Sequence, residues 1–220
     1  MPRTGSASRP SARAGNTRQA LVDAAVDVLR HEGFAAATAR TVAGRAGCNQ
    51  GLVFYYFGSV VDLLLAALDE VSEQRRRRYE EALAGVGGLG DLVDLAARIF
   101  AEDLESGDAA LLVEMIAGAT STPGLGVAVK ARLVPWAQFA AAALEPISSR
   151  SALAGLAGAG EIAHATVALY LGLELLSHLD GDTAPALALF ERARRLAPLA
   201  DMAGLWTGKD QTSPTTTEEK

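Results

Sequence analysis

The chain has 220 residues, of which 50% are hydrophobic, so it can bury a sizeable core in one compact unit or in a small domain beside a larger one. Its formal net charge of -6 argues, taken alone, against a nucleic-acid-binding protein, and its single cysteine, Cys48, excludes an internal disulfide framework and a multi-cysteine zinc site. No early stretch is apolar enough for a signal peptide, and no later run approaches the ~20 apolar residues of a membrane span. We therefore expect a soluble protein in a reducing cytoplasm.

The charge is distributed unevenly along the chain. Residues 1–60 hold seven arginines against three acidic residues and carry +4, whereas residues 61–220 hold thirteen basic and twenty-three acidic residues and carry -10. A basic N-terminal part is compatible with nucleic-acid binding even though the whole chain is acidic.

The N-terminal segment, residues 1–15, is rich in Ser, Arg, Gly and Pro and lacks periodicity, which predicts a disordered basic arm. Its arginines are either solvated or able to follow a DNA minor groove: Arg3, Arg9 and Arg13. A helical stripe of apolar residues then predicts a first helix over residues 17–32, ended by Gly33.

Two short helices follow, joined by a glycine turn. Thr38 is a suitable N-cap for a helix over residues 39–46, because its side-chain oxygen can accept a bond from a free backbone N–H. Gly47 permits the left-handed backbone that ends such a helix, and Asn49 can cap a second helix that runs to Tyr56. This spacing predicts a helix-turn-helix.

A longer helix begins directly after the helix-turn-helix. Gly58 breaks the second short helix, and Ser59-Val60-Val61-Asp62 has capping-box spacing before an apolar run. We predict a helix from Val60 to about Ala84, ended by the glycines of residues 85–90. Its basic run, residues 75–78, lies about 24 Å along the helix axis from Ser59 and is interpreted as a solvated face with i,i+4 partners rather than as a DNA contact.

The residues of this region resemble a known family. Ala43-x-x-Ala46-Gly47, Gly51, Tyr55-x-Phe57-Gly58-Ser59 and Asp62-Leu63-Leu64 follow, in order and without a gap, the DNA-reading segment of the tetracycline-repressor (TetR) family of bacterial transcriptional regulators. The resemblance covers roughly residues 17–66. It implies an all-α fold of about nine helices, in which an N-terminal three-helix, helix-turn-helix DNA-binding domain precedes a C-terminal helical domain for ligand binding and dimerisation.

The remaining chain shows helical patterns and no sustained strand alternation. They cover residues 91–105, 109–119, 126–144, 160–179 and 184–203, and the Ala/Gly/Ser-rich residues 147–160 leave room for another short helix. The predicted organisation is a disordered arm at 1–15, a DNA-binding domain at 16–60, an effector-binding and dimerisation domain at 61–206 and a disordered polar tail at 207–220.

Side chains in the helix-turn-helix have the chemistry that base reading requires. Asn49 and Gln50 carry amides that can pair with adenine, and Leu52 can contact a thymine methyl group. The residues that the motif and the family resemblance together assign to DNA binding are Thr38, Arg40, Thr41, Arg45, Asn49, Gln50, Gly51, Leu52, Phe54, Tyr55, Tyr56 and Ser59. Tyr55 matches a frequent phosphate contact, with partial core packing as its alternative role.

Three residues depart from the family pattern. Phe54 stands where Tyr is usual, Tyr56 where His is usual, and Val60 where a phosphate-binding Lys is usual. Each lost cationic contact lowers DNA affinity and flattens its salt dependence. We therefore expect binding to depend on Arg40, Arg45 and the arm.

The last two predicted helices, residues 160–179 and 184–203, are apolar over more of their circumference than one monomer's core needs. In the family the corresponding helices pair across a two-fold axis, so the resemblance implies a homodimer. An apolar effector pocket is expected between the C-terminal helices, and its candidate residues, which can equally be plain core, are Phe100, Leu104, Met115, Trp136, Phe139, His164 and Tyr170.

Enzyme chemistry is not expected. Glu161-x-x-His164 has the spacing of carboxylate-bridged metal bundles, but such a site needs the motif twice, and the chain holds one copy. No nucleophilic triad or phosphate-binding glycine loop is apparent, so we expect no metal and no cofactor.

The sequence therefore predicts a homodimeric transcriptional regulator, expected to be a repressor, that binds a palindromic operator in double-stranded DNA and is released by a small apolar effector. The alternative is a helical dimer that has lost operator binding and serves as an interaction or ligand-carrier module. The acidic balance and Val60 favour that alternative.

Overall fold

The computed structural model describes residues 9–148 and 158–202, and this part of the chain is helical, without a strand. The predicted all-α class is confirmed. The helices are α1 (Arg9–His31), α2 (Ala39–Arg45), α3 (Gly51–Phe57), α4 (Val60–Leu83), α5 (Leu89–Ser106), α6 (Asp108–Ala119), α7 (Leu125–Arg132), α8 (Val134–Ser148), α9 (Ala159–Asp180) and α10 (Ala184–Met202), with a short 3-10 helix at Phe34–Ala36.

Helix α2 has both of its predicted ends. The Thr38 hydroxyl oxygen accepts a hydrogen bond from the backbone N–H of Thr41 at 3.1 Å. At the other end Gly47 has a φ of 66°, and the N–H of Cys48 reaches back to the carbonyl of Ala43 at 2.9 Å. This six-residue closure satisfies carbonyls that the helix itself leaves unpaired, and it sets the turn between α2 and α3.

Helices α3 and α4 are separated by two residues. Gly58, with a φ of 81°, ends α3, and the N–H of Asp62 donates to the Ser59 hydroxyl at 3.0 Å to begin α4. The Ser59 hydroxyl in turn donates to the Asp62 carboxylate at 2.6 Å. Local capping signals therefore suffice to place four helix ends in and around the helix-turn-helix.

The start of α1 differs from the sequence prediction. Helix α1 begins at Arg9 rather than near Thr17, so residues 9–15 are helical where we expected a disordered arm. Pro10 is tolerated in the first turn because its missing N–H has no helical partner there. Arg3, the first eight residues and the tail at 207–220 lie outside the described residues, as do residues 149–157 of the predicted Ala/Gly/Ser-rich connection.

The predicted single helix over residues 126–144 is two helices, α7 and α8, which meet at Leu133. Pro135 explains the break, because proline disfavours helical backbone at the preceding residue and is accepted only in the first turn of a new helix.

Contacts divide the chain into two compact units: unit 1 comprises Met1–Arg77 and Asp103–Val134, and unit 2 comprises Arg78–Glu102 and Pro135–Lys220. Helices α4 and α5 thus each contribute to both units, whereas α6 and α7 group with the helix-turn-helix. The domain boundary predicted at residue 60 stays a prediction.

Within unit 1, α6 packs on α1 and on the 3-10 helix. Arg30, near the end of α1, pairs with the buried Asp108 at the start of α6. One turn and a half later, the Glu114 carboxylate accepts a hydrogen bond from the backbone N–H of Phe34 at 2.7 Å. A Cβ on Gly118 would lie 2.5 Å from the Phe34 ring, so only glycine lets the ring pack flat on α6.

The basic run of α4 has internal partners. Arg75 is buried and pairs with the fully buried Asp103 of α5. Arg76 and Arg77 both reach Glu73, and the hydrogen bonds from their guanidinium groups lower the pKa of that carboxyl. The predicted i,i+4 pairing is present for Arg77, whereas the i,i+3 pair of Arg76 and the burial of Arg75 were not predicted.

Unit 2 contains a cluster of aromatic rings. Tyr79 contacts Trp136, with ring centroids 6.2 Å apart, and Trp136 contacts Phe139 at the same separation. Phe100 is fully buried against Tyr170 at 6.0 Å and Phe190 at 5.5 Å. Tyr170, Trp136 and Phe139 all pack on the buried Tyr79, Leu95 and Ile99, so the rings form one continuous cluster.

Helix α9 has polar residues on its buried side and leucines on its exposed side. Glu174 is 2% exposed and Ser177 is also buried, whereas Leu169, Leu176 and Leu179 are exposed. Helix α10 repeats the outer pattern with exposed leucines at 189, 196 and 199. In both helices the leucines stand at i, i+7 and i+10, a spacing that forms one stripe along a helix.

By length and composition alone, one described segment, Gly160–Asp180, is long and apolar enough to cross a membrane, and the bent pair α3 and α4 would make a second if counted as one span. The expectation that no run approaches the length of a span was therefore wrong for this segment. Core helices of soluble proteins meet the same criterion.

Candidate nucleic-acid interface

The outer face of α3 is defined by the one residue that the helix buries. Val53 is fully buried, and at about 100° per residue the opposite side of the helix carries Gly51 and Tyr55, flanked by Leu52 and Phe54. Tyr55 is 78% exposed and Phe54 is 53% exposed. The ring of Tyr56 meets that of Tyr55 edge-on at 4.9 Å, which supports the exposed tyrosine from one side.

The two amide side chains before α3 have different roles. Asn49 accepts a hydrogen bond from the N–H of Gly51 at 2.7 Å through its side-chain oxygen, so part of its hydrogen-bonding capacity is used to shape the turn. Gln50 occupies the N-cap position itself but makes no side-chain capping bond, and it is exposed. Gln50 is therefore the amide that is presented outwards at the head of the helix.

Helix α2 presents its first turn beside this face. Arg40 is exposed, and Thr41 is half-buried with its hydroxyl 2.9 Å from that of Thr38. Among the described residues 15–67, Arg40 is the one arginine for which the structure gives neither a carboxylate partner nor a ring beneath it. Its guanidinium is thus available for an external anion.

Arg45 has partners that the sequence does not show. The sequence predicts it as a DNA-facing cation, and the structure places its guanidinium between the carboxylates of Asp27 and Glu32 on or just after α1. Its contact with DNA stays a prediction. Arg45 braces α2 against α1, and no signal in the local sequence could have shown this, because the partners lie 18 and 13 residues away.

Another cation is engaged at the back of α3. The Arg18 guanidinium of α1 lies 5.0 Å from the centre of the Phe57 ring, a cation–π contact that fixes the end of α3 against α1. Ser59 is engaged in the α4 cap described above, and Val60 beside it is half-buried. Val60 is thus an apolar side chain at the position where the family usually has a phosphate-binding lysine.

The candidate effector residues fall in both units. Leu104 is half-buried and Met115 fully buried in unit 1, while Phe100, Trp136, Phe139 and Tyr170 belong to the aromatic cluster of unit 2. His164 was predicted to line the pocket but is exposed, so it lines no enclosed site in this unit. The prediction missed Glu174, whose burial one turn after Tyr170 was not evident from the sequence.

The first residue of the Glu161-x-x-His164 spacing has a structural role. The Glu161 carboxylate accepts a hydrogen bond from the N–H of Gly158 at 3.0 Å and so caps α9. His164 and His178 are both exposed. Within residues 9–148 and 158–202, no group of three or more His, Cys, Asp or Glu side chains is arranged to hold a metal ion.

A helix-turn-helix whose second helix exposes amide and aromatic side chains is the architecture of a sequence-reading DNA-binding protein. Comparison with known proteins identifies the family. Residues 21–67 match the family model described as bacterial regulatory proteins, tetR family. This match confirms the resemblance to the TetR family of transcriptional regulators that the sequence indicated, and it covers the helix-turn-helix and the start of α4.

Relatives agree with this assignment. The HTH-type transcriptional regulator CymR of Pseudomonas putida is 32% identical over 117 residues, which cover 51% of this chain and 56% of CymR. The matched region thus spans only about half the length of this curated relative.

Solved structures match over most of the chain. A TetR-family member from Streptomyces coelicolor A3 is 27% identical with a TM-score of 0.56, over 80% of this chain and 97% of that one. FadR of Bacillus subtilis, solved in complex with stearoyl-CoA, is 19% identical with a TM-score of 0.64, over 87% of this chain and 99% of FadR. At that identity FadR shares the fold alone.

Proposed function

We propose that this regulator binds a palindromic operator as a homodimer, with α3 in the major groove, and that it acts as a cytoplasmic repressor without enzymatic activity. The single observation that carries the proposal is the outer face of α3. An exposed Gln50, an exposed Tyr55 and Arg40, which has no carboxylate partner among the described residues, lie around one short helix. They supply one base-reading amide, one hydroxyl at a helix edge and one phosphate-binding cation.

The leucine stripes of α9 and α10 support the homodimer. Monomeric proteins rarely expose large contiguous apolar patches, and each of these helices exposes three leucines at i, i+7 and i+10. Two copies of the pair can bury both stripes in one four-helix interface. The two-fold axis of such a dimer requires half-sites about one turn of DNA apart, or a multiple of it.

The aromatic cluster of unit 2 supports an effector with apolar surface. Phe100, Tyr170, Trp136 and Phe139 bring rings from three helices together. FadR of Bacillus subtilis, which shares this fold, was solved in complex with stearoyl-CoA. We exclude His164 from the proposed site because it is exposed.

Release of DNA follows from linkage. An effector that favours a conformation in which the two recognition helices do not match the half-site spacing must weaken operator binding by its differential affinity for the two conformations. Helix α4 contributes to both units and begins next to α3, so we propose it as the connecting element. Helix α6, which holds Arg30 and the Phe34 backbone, would keep the helix-turn-helix aligned.

The test is selection from random DNA with the full-length protein at low salt, followed by gel shifts on the enriched sequence. We expect a palindrome, and we expect Gln50→Ala to weaken binding by about 5- to 100-fold and to relax base preference at one position per half-site. Arg40→Ala should weaken binding to all sequences alike. Gln138→Ala and Arg98→Ala, at exposed positions of unit 2, are the matched controls and should bind as the wild type does.

The alternative function predicts a different outcome. If no sequence is enriched and the Gln50→Ala and Arg40→Ala proteins behave like their controls, operator binding has been lost. The chain is then better described as a dimeric interaction or ligand-carrier module. The internal pairing of Arg45 and the apolar Val60 are the observations that favour this alternative.

A further inference from the structure

The surface that α3 presents lacks positive charge. Its sequence and the turn before it, Asn49–Phe57, contain no lysine or arginine. Within the described residues 15–67, three other arginines contact groups of the protein itself. Arg45 forms ion pairs with Asp27 and Glu32, Arg30 forms one with Asp108, and Arg18 lies over the ring of Phe57. Arg40 remains available, but it stands on α2, beside the reading helix rather than on it.

This inventory limits which bases the helix can recognise. Guanine presents two acceptors, O6 and N7, in the major groove, and its usual partner is a bidentate arginine or lysine. Adenine presents an acceptor and a donor, which suit the two ends of a glutamine amide, and thymine presents a methyl group that suits an apolar side chain. The outer face of α3 has the second and third kinds of group and none of the first.

The available groups are well placed for this readout. Gln50 has no capping bond to keep it from a base edge, whereas the side-chain oxygen of Asn49 is already bound to the N–H of Gly51. Leu52 and Phe54 flank the outward direction of the helix on opposite sides. Each lies about 80° from that direction, because successive residues of an α-helix are about 100° apart around its axis. Gly51, between them, adds no side chain that would hold the helix away from the base pairs.

We propose that each operator half-site is read at A·T pairs, with adenine bound by Gln50 and thymine methyl groups packed against Leu52 or Phe54, and that α3 makes no contact with guanine. The inference rests on the proposed function, because it concerns the same DNA-reading surface. Sequence preference would then come from hydrogen bonds to adenine and from apolar contact. Arg40 would contribute affinity through phosphate without selecting a base.

Base analogues in the selected operator test the inference atom by atom. Replacing thymine by uracil removes one methyl group, and at the contacted positions we expect about a 4-fold loss of affinity, the equivalent of one buried methyl group. Replacing adenine by 7-deazaadenine removes the N7 acceptor, and at the Gln50 position we expect a loss of about 5-fold or more. Replacing each guanine by 7-deazaguanine should leave affinity unchanged.

Matched variants assign these effects to side chains. In Leu52→Ala or Phe54→Ala, whichever side chain packs on the methyl group, thymine and uracil operators should bind equally, while the 7-deazaadenine effect persists. In Gln50→Ala the 7-deazaadenine effect should disappear, while the difference between the thymine and uracil operators persists. Val127→Ala, at an exposed apolar position of α7, is the control and should retain both analogue effects.

The outcomes separate this inference from the proposed function. A palindrome whose binding depends on guanine N7 at the positions facing α3 overturns the inference and leaves operator binding established. A palindrome that tolerates 7-deazaguanine but not uracil and 7-deazaadenine supports both. Absence of any enriched palindrome overturns the proposed function, and the inference falls with it.

Discussion

Two surfaces of this protein expose large apolar side chains, and they differ in kind. Around α3 the exposed residues are aromatic, Phe54 and Tyr55, and they stand beside an amide and a glycine. On α9 and α10 they are mainly leucines in stripes, and the α10 stripe also contains the exposed Arg192. The first surface combines apolar area with hydrogen-bonding groups, as base edges and phosphates require. The second is dominated by apolar area, which suits an identical apolar stripe.

The comparison shows that exposure alone does not identify a partner. A search for exposed apolar residues would place α3 and α9 in one class, although hydrogen-bonding capacity separates them. The same two helices differ inside as well. Helix α3 buries Val53, whereas α9 buries Glu174 and Ser177. Helix α9 thus has polar as well as apolar residues on its buried side and exposes a stripe of leucines, a pattern expected when part of its outer side is buried by a second copy.

The strongest test of this comparison places charge in one surface and leaves the other intact. In the double variant Leu176→Glu, Leu179→Glu, four carboxylates enter the dimer interface, and burying them costs several kcal/mol unless the interface separates. We expect a monomer in light scattering at concentrations where the wild type is dimeric, and at least about 100-fold weaker operator binding, since the two half-sites are no longer linked. Val127→Glu, on an equally exposed residue of α7, should leave the dimer intact. A dimeric double variant would contradict the assignment.

A second test asks whether the DNA-reading surface depends on packing that the dimer surface does not share. In Gly118→Ala the new methyl group meets the Phe34 ring at 2.5 Å, and overpacking of this kind costs about 1–3 kcal/mol. We expect a lower urea midpoint at fixed protein concentration and weaker operator binding, with the dimer unchanged. Gly44→Ala adds a methyl group with nothing within 4 Å and should be neutral or slightly stabilising. Equal midpoints for the two variants would show that α6 does not hold the 3-10 helix as described.

A third test separates two arginines that the sequence treats alike. Arg40→Ala should remove one phosphate contact and lower the slope of log affinity against log salt by about one, with unchanged stability. Arg45→Ala should leave that slope unchanged and lower the free energy of unfolding by about 1 kcal/mol or less, because Arg45 pairs with Asp27 and Glu32 at the surface. If Arg45→Ala changes the salt slope and Arg40→Ala does not, the two roles are reversed.

The smallest effect is expected at Glu73 on α4. Arg76 and Arg77 lower the pKa of this exposed carboxyl, so its contribution to stability is present above its unfolded-state pKa and is lost as the pH falls through the folded-state pKa. Glu73→Gln should therefore be slightly less stable than the wild type near neutral pH, and the difference should vanish in acid. Operator binding and dimerisation should not change. A loss of operator binding would show that the basic run serves DNA after all.

The sequence predicted the helix ends around the helix-turn-helix because their causes are local. Thr38 and Ser59 cap the helices that they precede, and Gly47 and Gly58 adopt the positive φ that ends the others. The break before Pro135 also has a local signal, because a proline disfavours helical backbone at the residue before it. That rule alone would have divided the helix predicted over residues 126–144 into two.

Features that depend on distant partners were not predictable in this way. Arg45 looks like a free cation until α1 brings Asp27 and Glu32 beside it. Helical periodicity places Glu174 and His164 on α9 but does not say which of its sides faces the core, and the buried residue proved to be Glu174. The fit of Gly118 to Phe34 joins residues more than eighty positions apart in the chain and exists only in the folded unit.

The internal pairing of arginines in the helix-turn-helix region bears on how the protein would move through a chromosome. Affinity for arbitrary DNA comes from cations that displace counterions from phosphates. Because Arg18, Arg30 and Arg45 are engaged with other groups of the protein, we expect short residence on non-operator DNA and little of the regulator held there at physiological salt. Operator occupancy would then respond closely to the number of regulator molecules in the cell, because few of them are withdrawn by the rest of the genome.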